Sequence, residues 1–390
     1  MLSDSTLVVL LAAVAAAALA ALVLTLLRKQ RTEDASRAYL AGVRYVLSDE
    51  PEAAFAELWR AARMNTATYD TYFALAALMR RKGELAWAIQ LAENMLKKPA
   101  LPAPVRRRAQ LELALDYRRS GLQDRARETF EKLLAAHPGD AEALLAYRRL
   151  LEELRDWPRA VEVQERLLAA EGKGGDVLAH LLSELAAATL ARDAAEARSL
   201  ADRAAALDEG SAHPRVEQAR AALAQGDRAG AQAAMREALG REPELAPGPG
   251  LLLLDAGLSA DAAAVWFGEQ AGRTSGAAGP FALARAEALV RGGMADQAVA
   301  ALQRLLHEEP GFLEAQRALG ELLLARGPAE SVRDAYRDVL RTLGEPVLAF
   351  VCRGCQAKFQ AFSFRCPGCG AWDQLARAPS QEFDRAGARA

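Results

Sequence analysis

A thirty-four-residue pattern, clearest from Arg107 to Asp140, does most to restrict how this chain can fold. Gln110, Leu113, Ala114 and Tyr117 recur at spacings of three and four, so they share one face of a helix A, which Gly121 breaks. Ala126, Phe130 and Leu133 share one face of a helix B, which Pro138 stops. Small residues at Ala114 and Ala126 let the two helices approach closely, and Tyr117 and Phe130 fill the space between them. One such hairpin cannot bury its own apolar face, so it requires neighbours on both sides.

The frame recurs. Ala35 to Thr68 places Gly42, Tyr45, Ala54, Leu58 and Ala61 on the packing positions. Tyr69 to Pro102 places Tyr72, Leu75, Ala76, the turn Gly83, Ala88 and Ala92 there. A copy from Ala141 keeps Leu144, Leu151, Ala160 and Leu167 but has Arg155 where the turn glycine belongs. A thin, alanine-built copy starts near Leu178. A clean one covers Ala212 to Leu245, with Gly226, Ala231, Met235, Ala238 and Pro243. From Ala246 to Gly279 the frame degenerates: Pro247, Gly248, Pro249 and Gly250 break it, and Leu251 to Leu254 allow only a stub of helix. Gly279 to Phe312 fits well again, and a last copy follows from Leu313 through Tyr336. A small-large-aromatic pattern ending in proline at this period resembles the tetratricopeptide repeat. The expected fold class is all-α, a superhelical solenoid of these repeats with a membrane helix at one end and a small metal module at the other. Aromatics are only 6% of the chain, which also favours helices over strands.

The formal net charge is −2, from 49 basic and 51 acidic residues. This balance gives no support for a nucleic-acid partner, which calls for a basic excess. At the N-terminus, Leu7 to Leu27 holds no charge, and twenty-one helical residues span about 31 Å, the thickness of a bilayer core. Arg28, Lys29 and Arg31 follow, while Asp4 is the one charge ahead of it. The positive-inside rule puts the N-terminus outside and the bulk of the chain in the cytoplasm, on a single pass. A cleaved signal peptide would need a basic leader and a shorter apolar core, and a buried soluble helix is the other alternative.

Stacked repeats line a concave face with their A helices. In the second to fourth copies that face would carry Phe73, Arg80, Arg81, Leu111, Leu115, Arg118, Arg119 and Arg149. One reading makes it a groove whose arginines pair with carboxylates of a partner. The other has Arg80, Arg81, Arg118 and Arg119 simply compensating the dipole at the ends of their helices. The histidines, His137, His180, His213 and His307, fall in different repeats, and no Ser-His-Asp set, phosphate loop or zincin motif is present. The chain reads as a non-enzyme.

All four cysteines lie together, as Cys352-x2-Cys355 and Cys366-x2-Cys369. Two such knuckles bring four thiolates to a tetrahedron around one soft metal ion. Gly354, Pro367, Gly368 and Gly370 supply tight turns, and Gln356 to Arg365 reads as a short β-hairpin. Phe350 and Trp372 extend an apolar shell around the site, and a module of this size needs its metal to hold together. Disulfides or inert thiols are the alternative, disfavoured in a reducing compartment. Four protein ligands leave no open position for hydrolytic chemistry. Zinc and a rubredoxin-type iron fit the spacing equally. The expected order is an anchor and basic stop over 1–31, repeats over 35–245, a degenerate repeat or bend over 246–279, repeats over 280–343, the metal module over 347–376 and a tail over 377–390.

Taken together, Ser36-Arg37-Ala38-Tyr39-Leu40-Ala41-Gly42-Val43 after the apolar stretch, Phe350-Val351-Cys352-Arg353-Gly354-Cys355, and Cys366-Pro367-Gly368-Cys369-Gly370-Ala371-Trp372 resemble the lipopolysaccharide assembly protein B family. The resemblance implies an inner-membrane adaptor that limits lipopolysaccharide synthesis by helping the membrane AAA protease FtsH degrade the LpxC deacetylase. It implies contacts with other lipopolysaccharide synthesis or transport proteins. It implies a rubredoxin-like module holding iron or zinc through Cys352, Cys355, Cys366 and Cys369 and packed back on the repeats. The first knuckle departs from the family at Gln356, where glycine is usual. A rubredoxin-like electron carrier and a general scaffold for envelope assembly are the alternative functions.

Overall fold

The structure is a computed structural model that describes residues 4–48, 50–62, 69–273, 278–309, 312–325 and 350–377; for 4–18, 20, 28, 31–32, 47 and 51 it describes the backbone alone. The chain divides into two compact units, residues 1–150 and 151–390. In the first lie α1 (Asp4–Leu47), α2 (Pro51–Ala62), α3 (Tyr69–Arg81), α4 (Leu85–Leu96), α5 (Ala103–Arg119), α6 (Gln123–Ala136) and most of α7 (Ala141–Glu153). In the second lie α8 (Trp157–Glu171), α9 (Gly175–Thr189), α10 (Ala194–Leu207), α11 (His213–Ala224), α12 (Arg228–Arg241), short 3-10 turns at Pro243–Leu245 and Pro249–Leu251, α13 (Leu252–Asp255), α14 (Ala260–Arg273), α15 (Ala278–Arg291), α16 (Ala295–Glu308) and α17 (Leu313–Ala325). Three strands close it: β1 (Phe350–Cys352), β2 (Lys358–Phe359) and β3 (Leu375–Arg377).

Within each unit, the repeat pattern becomes packing. Leu113, Ala114, Tyr117, Ala126, Phe130 and Leu133 are all buried, and Phe130 stacks on Tyr147 of the next A helix with centroids 5.5 Å apart. Gly42 is a contact: a Cβ there would meet Leu58 Cγ at 2.6 Å. The A–B turn is the same bond, repeated. Leu122 N–H donates to Tyr117 O, and the equivalent bond joins Glu84 to Met79, Asp156 to Leu151, Asp227 to Ala222 and Met294 to Leu289. That turn requires a left-handed residue, supplied by Gly83, Gly121, Gly226 and Gly293. Arg155 adopts it too, at φ 55°, which costs an L-residue about 1 kcal/mol.

The 246–279 stretch contains the same turn, since Leu258 N–H donates to Leu253 O and Gly257 has φ 87°. Its A helix is the four-residue α13, while α14 is a full-length B helix. Phe267 of α14 is fully buried among Met235, Leu253, Phe281 and Leu289. Repetition of the pattern therefore persists through a segment that proline and glycine obscure in sequence. Of the last copy, α17 is described, while Gly327 and Tyr336 lie outside the described residues.

α1 is continuous from Asp4 to Leu47, so the apolar stretch and the first A helix are one rod. Among the described residues no helix is long and apolar enough to cross a membrane. The transmembrane anchor expected over Leu7 to Leu27 thus has no counterpart there. After Leu27 the helix carries Lys29, Glu33, Asp34 and Arg37, so its described apolar part is short. Residues 7–18 of the expected anchor lie outside the described side chains.

Candidate metal centre and its docking face

The two cysteine knuckles are built alike. In the first, Cys352 N–H donates to Ala357 O and Gln356 N–H returns to Cys352 O; in the second, Cys366 N–H donates to Ala371 O and Gly370 N–H returns to Cys366 O. Gln356 and Gly370 occupy equivalent positions, with φ 60° and 72°. Glutamine stands where glycine suits, and its side chain donates to Arg353 O at 3.2 Å. The strands form one antiparallel sheet in the order β2-β1-β3. Phe350 pairs with Phe359 on one side and Arg377 on the other. The hairpin expected over Gln356 to Arg365 is corrected: only Lys358 and Phe359 enter the sheet, because the knuckle folds them back onto β1 while Phe362 and Phe364 leave the sheet for the repeat core.

The four sulfurs lie within 4.8 Å of one another. Cys352–Cys369 and Cys355–Cys366 are each 3.7 Å apart. A tetrahedral ion with 2.3 Å metal–sulfur bonds sets sulfurs about 3.8 Å apart, so the donor set fits a single ion held by four thiolates. Cys352 and Cys366 are buried, Cys355 and Cys369 exposed. Backbone N–H groups of Cys355 and Gly354 aimed at Cys352 bring its thiol down to about 7. The Ala357 N–H acts the same way on Cys355, but burial and the neighbouring sulfurs outweigh it and push that thiol up to about 11. One thiolate therefore forms easily without metal, and a cation is needed to hold several at once.

The module sits on A helices of the second unit through a stack of rings. Trp372 lies on His180 of α9, and Phe364 lies on His213 of α11 with centroids 4.2 Å apart. His180 Nδ1 is 3.1 Å from His213 Nδ1, and His180 Nε2 is 2.8 Å from Asp373 Oδ2. Ser211 Oγ donates to Asp373 at 3.4 Å. Ion pairs surround the stack: Arg365 meets the buried Glu152, and Arg377 pairs with Glu244 at 2.9 Å and Glu314 at 3.0 Å. Burial, with His180 and Arg220 adding to it, drives His213 well below the usual histidine range. His180 and His213 were not legible as site residues from their types. Their separation of 33 positions, about one repeat, is the signal that puts both on the same face of successive A helices.

The residues expected to line a partner groove differ in exposure. Phe73 and Leu111 are buried, Leu115 and Arg118 half-buried, and Arg81, Arg119 and Arg149 exposed. Arg80 lies 2.6 Å from Glu112 and 2.9 Å from Asp116, so its charge is engaged within the unit. Asp116 is fully buried, and burial raises its carboxyl despite Arg80. Arg108, absent from the expected set, lies over the Phe73 ring at 4.0 Å.

Fold and site together define an all-α array of repeated helical hairpins with a C-terminal four-cysteine module. Tetratricopeptide repeat models match residues 107–147 and 282–311. The chain is homologous to lipopolysaccharide assembly protein B of Escherichia coli strain K12, at 29% identity over 212 residues, 54% of each chain. Its counterpart in Escherichia coli O157:H7 matches to the same extent, so the match spans about half the length of these relatives. Similar solved structures include a tetratricopeptide repeat protein from Parabacteroides merdae, 18% identical, covering 65% of this chain and 98% of that one at TM-score 0.37. The TPR2AB domain of yeast Sti1 is 19% identical, covering 57% and 98% at TM-score 0.30.

Proposed function

We propose that this chain is a non-enzymatic adaptor in lipopolysaccharide assembly, tethered to the inner membrane by its first helix with the bulk of the chain in the cytoplasm. The observation that carries it is the four-cysteine module seated on repeat A helices, in a chain homologous to lipopolysaccharide assembly protein B. Closed coordination by four protein sulfurs suits a structural ion, zinc or iron, and leaves no position for substrate. The tether is supported by exposed Leu19, Leu22, Val23, Leu24, Leu26 and Leu27 on α1, an apolar surface that water disfavours. By resemblance, the partners are the protease FtsH and the deacetylase LpxC, whose degradation the adaptor would promote, with further lipopolysaccharide synthesis or transport proteins. In the first unit Arg81, Arg119 and Arg149 are exposed, Arg119 also reaching Asp116 at 3.4 Å, and a partner carboxylate could approach this face. The test is depletion of the protein in its host while LpxC lifetime is followed. A longer-lived LpxC supports the reading, and unchanged turnover removes it.

A second reading, a rubredoxin-like electron carrier, is favoured by the exposure of Cys355 and Cys369, which would bring an ion near the surface. Metal analysis with an optical spectrum of protein purified without added metal separates the two. Iron-thiolate absorption that bleaches reversibly on reduction supports the carrier, and zinc excludes it.

A further inference from the structure

A second set of ligating side chains converges where the module meets the repeats. His180 of α9, Asp208 from the turn after α10 and Asp373 of the module bring one ring nitrogen and two carboxylate oxygens within 4.8 Å of one another. We propose that these three residues bind a second divalent ion, of the zinc class, which fastens the four-cysteine module to the repeats.

The donors suit that chemistry. One imidazole and two carboxylates make a nitrogen–oxygen set that zinc accepts, with water completing the coordination. Bonds of about 2.0–2.1 Å to a tetrahedral ion set neighbouring donors about 3.3 Å apart. His180 Nε2 and Asp373 Oδ2, now at 2.8 Å, need to separate by only about half an ångström to admit one.

The imidazole is already oriented as a ligand. His180 Nδ1 lies 3.1 Å from His213 Nδ1, within hydrogen-bond distance, and with the proton on His180 Nδ1 that nitrogen donates to His213. In that tautomer the Nε2 lone pair of His180 faces the Asp373 carboxylate 2.8 Å away, where a bound cation would satisfy both. A metal-bound histidine donates its other N–H to an outer partner in the same way. Trp372, lying flat on the ring, fixes its plane.

The carboxylates are oriented and lack counter-charge. Asp208 Oδ1 accepts the Gly210 and Ser211 N–H groups, which holds that side chain while leaving Oδ2 available. Among the described residues, neither Asp208 nor Asp373 forms an ion pair with lysine or arginine. Glu242 and Asp373 lie close enough for their charges to repel.

The site is tested on the full-length chain by loading it with zinc, removing loose ions by dialysis and measuring metal per chain. The wild type should hold two ions. Asp208→Asn keeps the acceptor oxygen for the turn but removes a charged ligand. It should weaken the second site at least about tenfold and leave one ion. Cobalt substitution checks the cysteine site independently: its thiolate charge-transfer band should saturate with the first ion and be identical in both proteins. One ion in the wild type, or equal metal content in the two proteins, overturns the proposal and makes the His180–Asp373 contact an ordinary hydrogen bond.

Discussion

The indole ring of Trp372 lies flat on the imidazole of His180, with centroids 4.6 Å apart and planes 4° from parallel. One ring belongs to the cysteine module and the other to a repeat helix, so this contact joins two parts of the chain nearly two hundred positions apart. Trp372→Ala should cost about 2 kcal/mol, from lost burial and ring pairing. Its effect should be local. Hydrogen exchange across 350–377 and in α9 should rise, while total helicity stays the same. Unchanged protection of α9 would show that the stack does not hold the module in place.

Removing one sulfur tests the metal rather than the stack. Cys366→Ser should lower metal content and affinity and expose the module to protease, because a sheet of three short strands has too small a core to persist without its ion. The repeats should keep a normal circular-dichroism spectrum. A module that remains protease-resistant with no bound ion would contradict this.

Glu217 gives a pH dependence of known sign. Burial raises its carboxyl from 4.5 to about 7, against the opposing pull of Arg220. Between those values the folded chain keeps a proton that the unfolded chain has lost, so this group makes stability fall as pH rises from about 4.5 to about 7. The full effect, on the order of 3 kcal/mol, is reached above that window. Glu217→Gln should therefore raise the unfolding midpoint at pH 8 and change it little at pH 4.5. Equal shifts at both values would place the cause elsewhere.

Arg155 carries a left-handed backbone at a turn where other repeats use glycine. Arg155→Gly should stabilise the protein by about 0.5–1 kcal/mol, the relief of strain exceeding the added freedom of the unfolded chain. Denaturant unfolding measures it directly. Destabilisation would mean that the arginine side chain contributes more than its backbone costs.

How much of this was legible depended on period. Leu113, Tyr117, Phe130 and Leu133 repeat at helical spacing, and their burial followed from it. The cysteine knuckles were legible because ligand spacing is a local property. The ring stack was not, since His180, His213, Phe364 and Trp372 become a set only when the chain folds back. α14 was hidden by Pro247 to Gly250, whose turn chemistry disrupts the A helix but leaves the B helix intact. The pairing of Arg80 with Glu112 and Asp116 was not legible either, because those carboxylates lie about one repeat further along the chain.

In the proposed adaptor, the docked module does what the repeats alone cannot. Trp372→Ala keeps all four thiols, so it separates docking from metal binding. The direct measurement is LpxC lifetime in cells whose only copy of this protein carries Trp372→Ala, at wild-type abundance and with its cysteine-bound ion verified. A lengthened lifetime, close to that of depleted cells, is the predicted result. A lifetime equal to wild type would contradict the central claim.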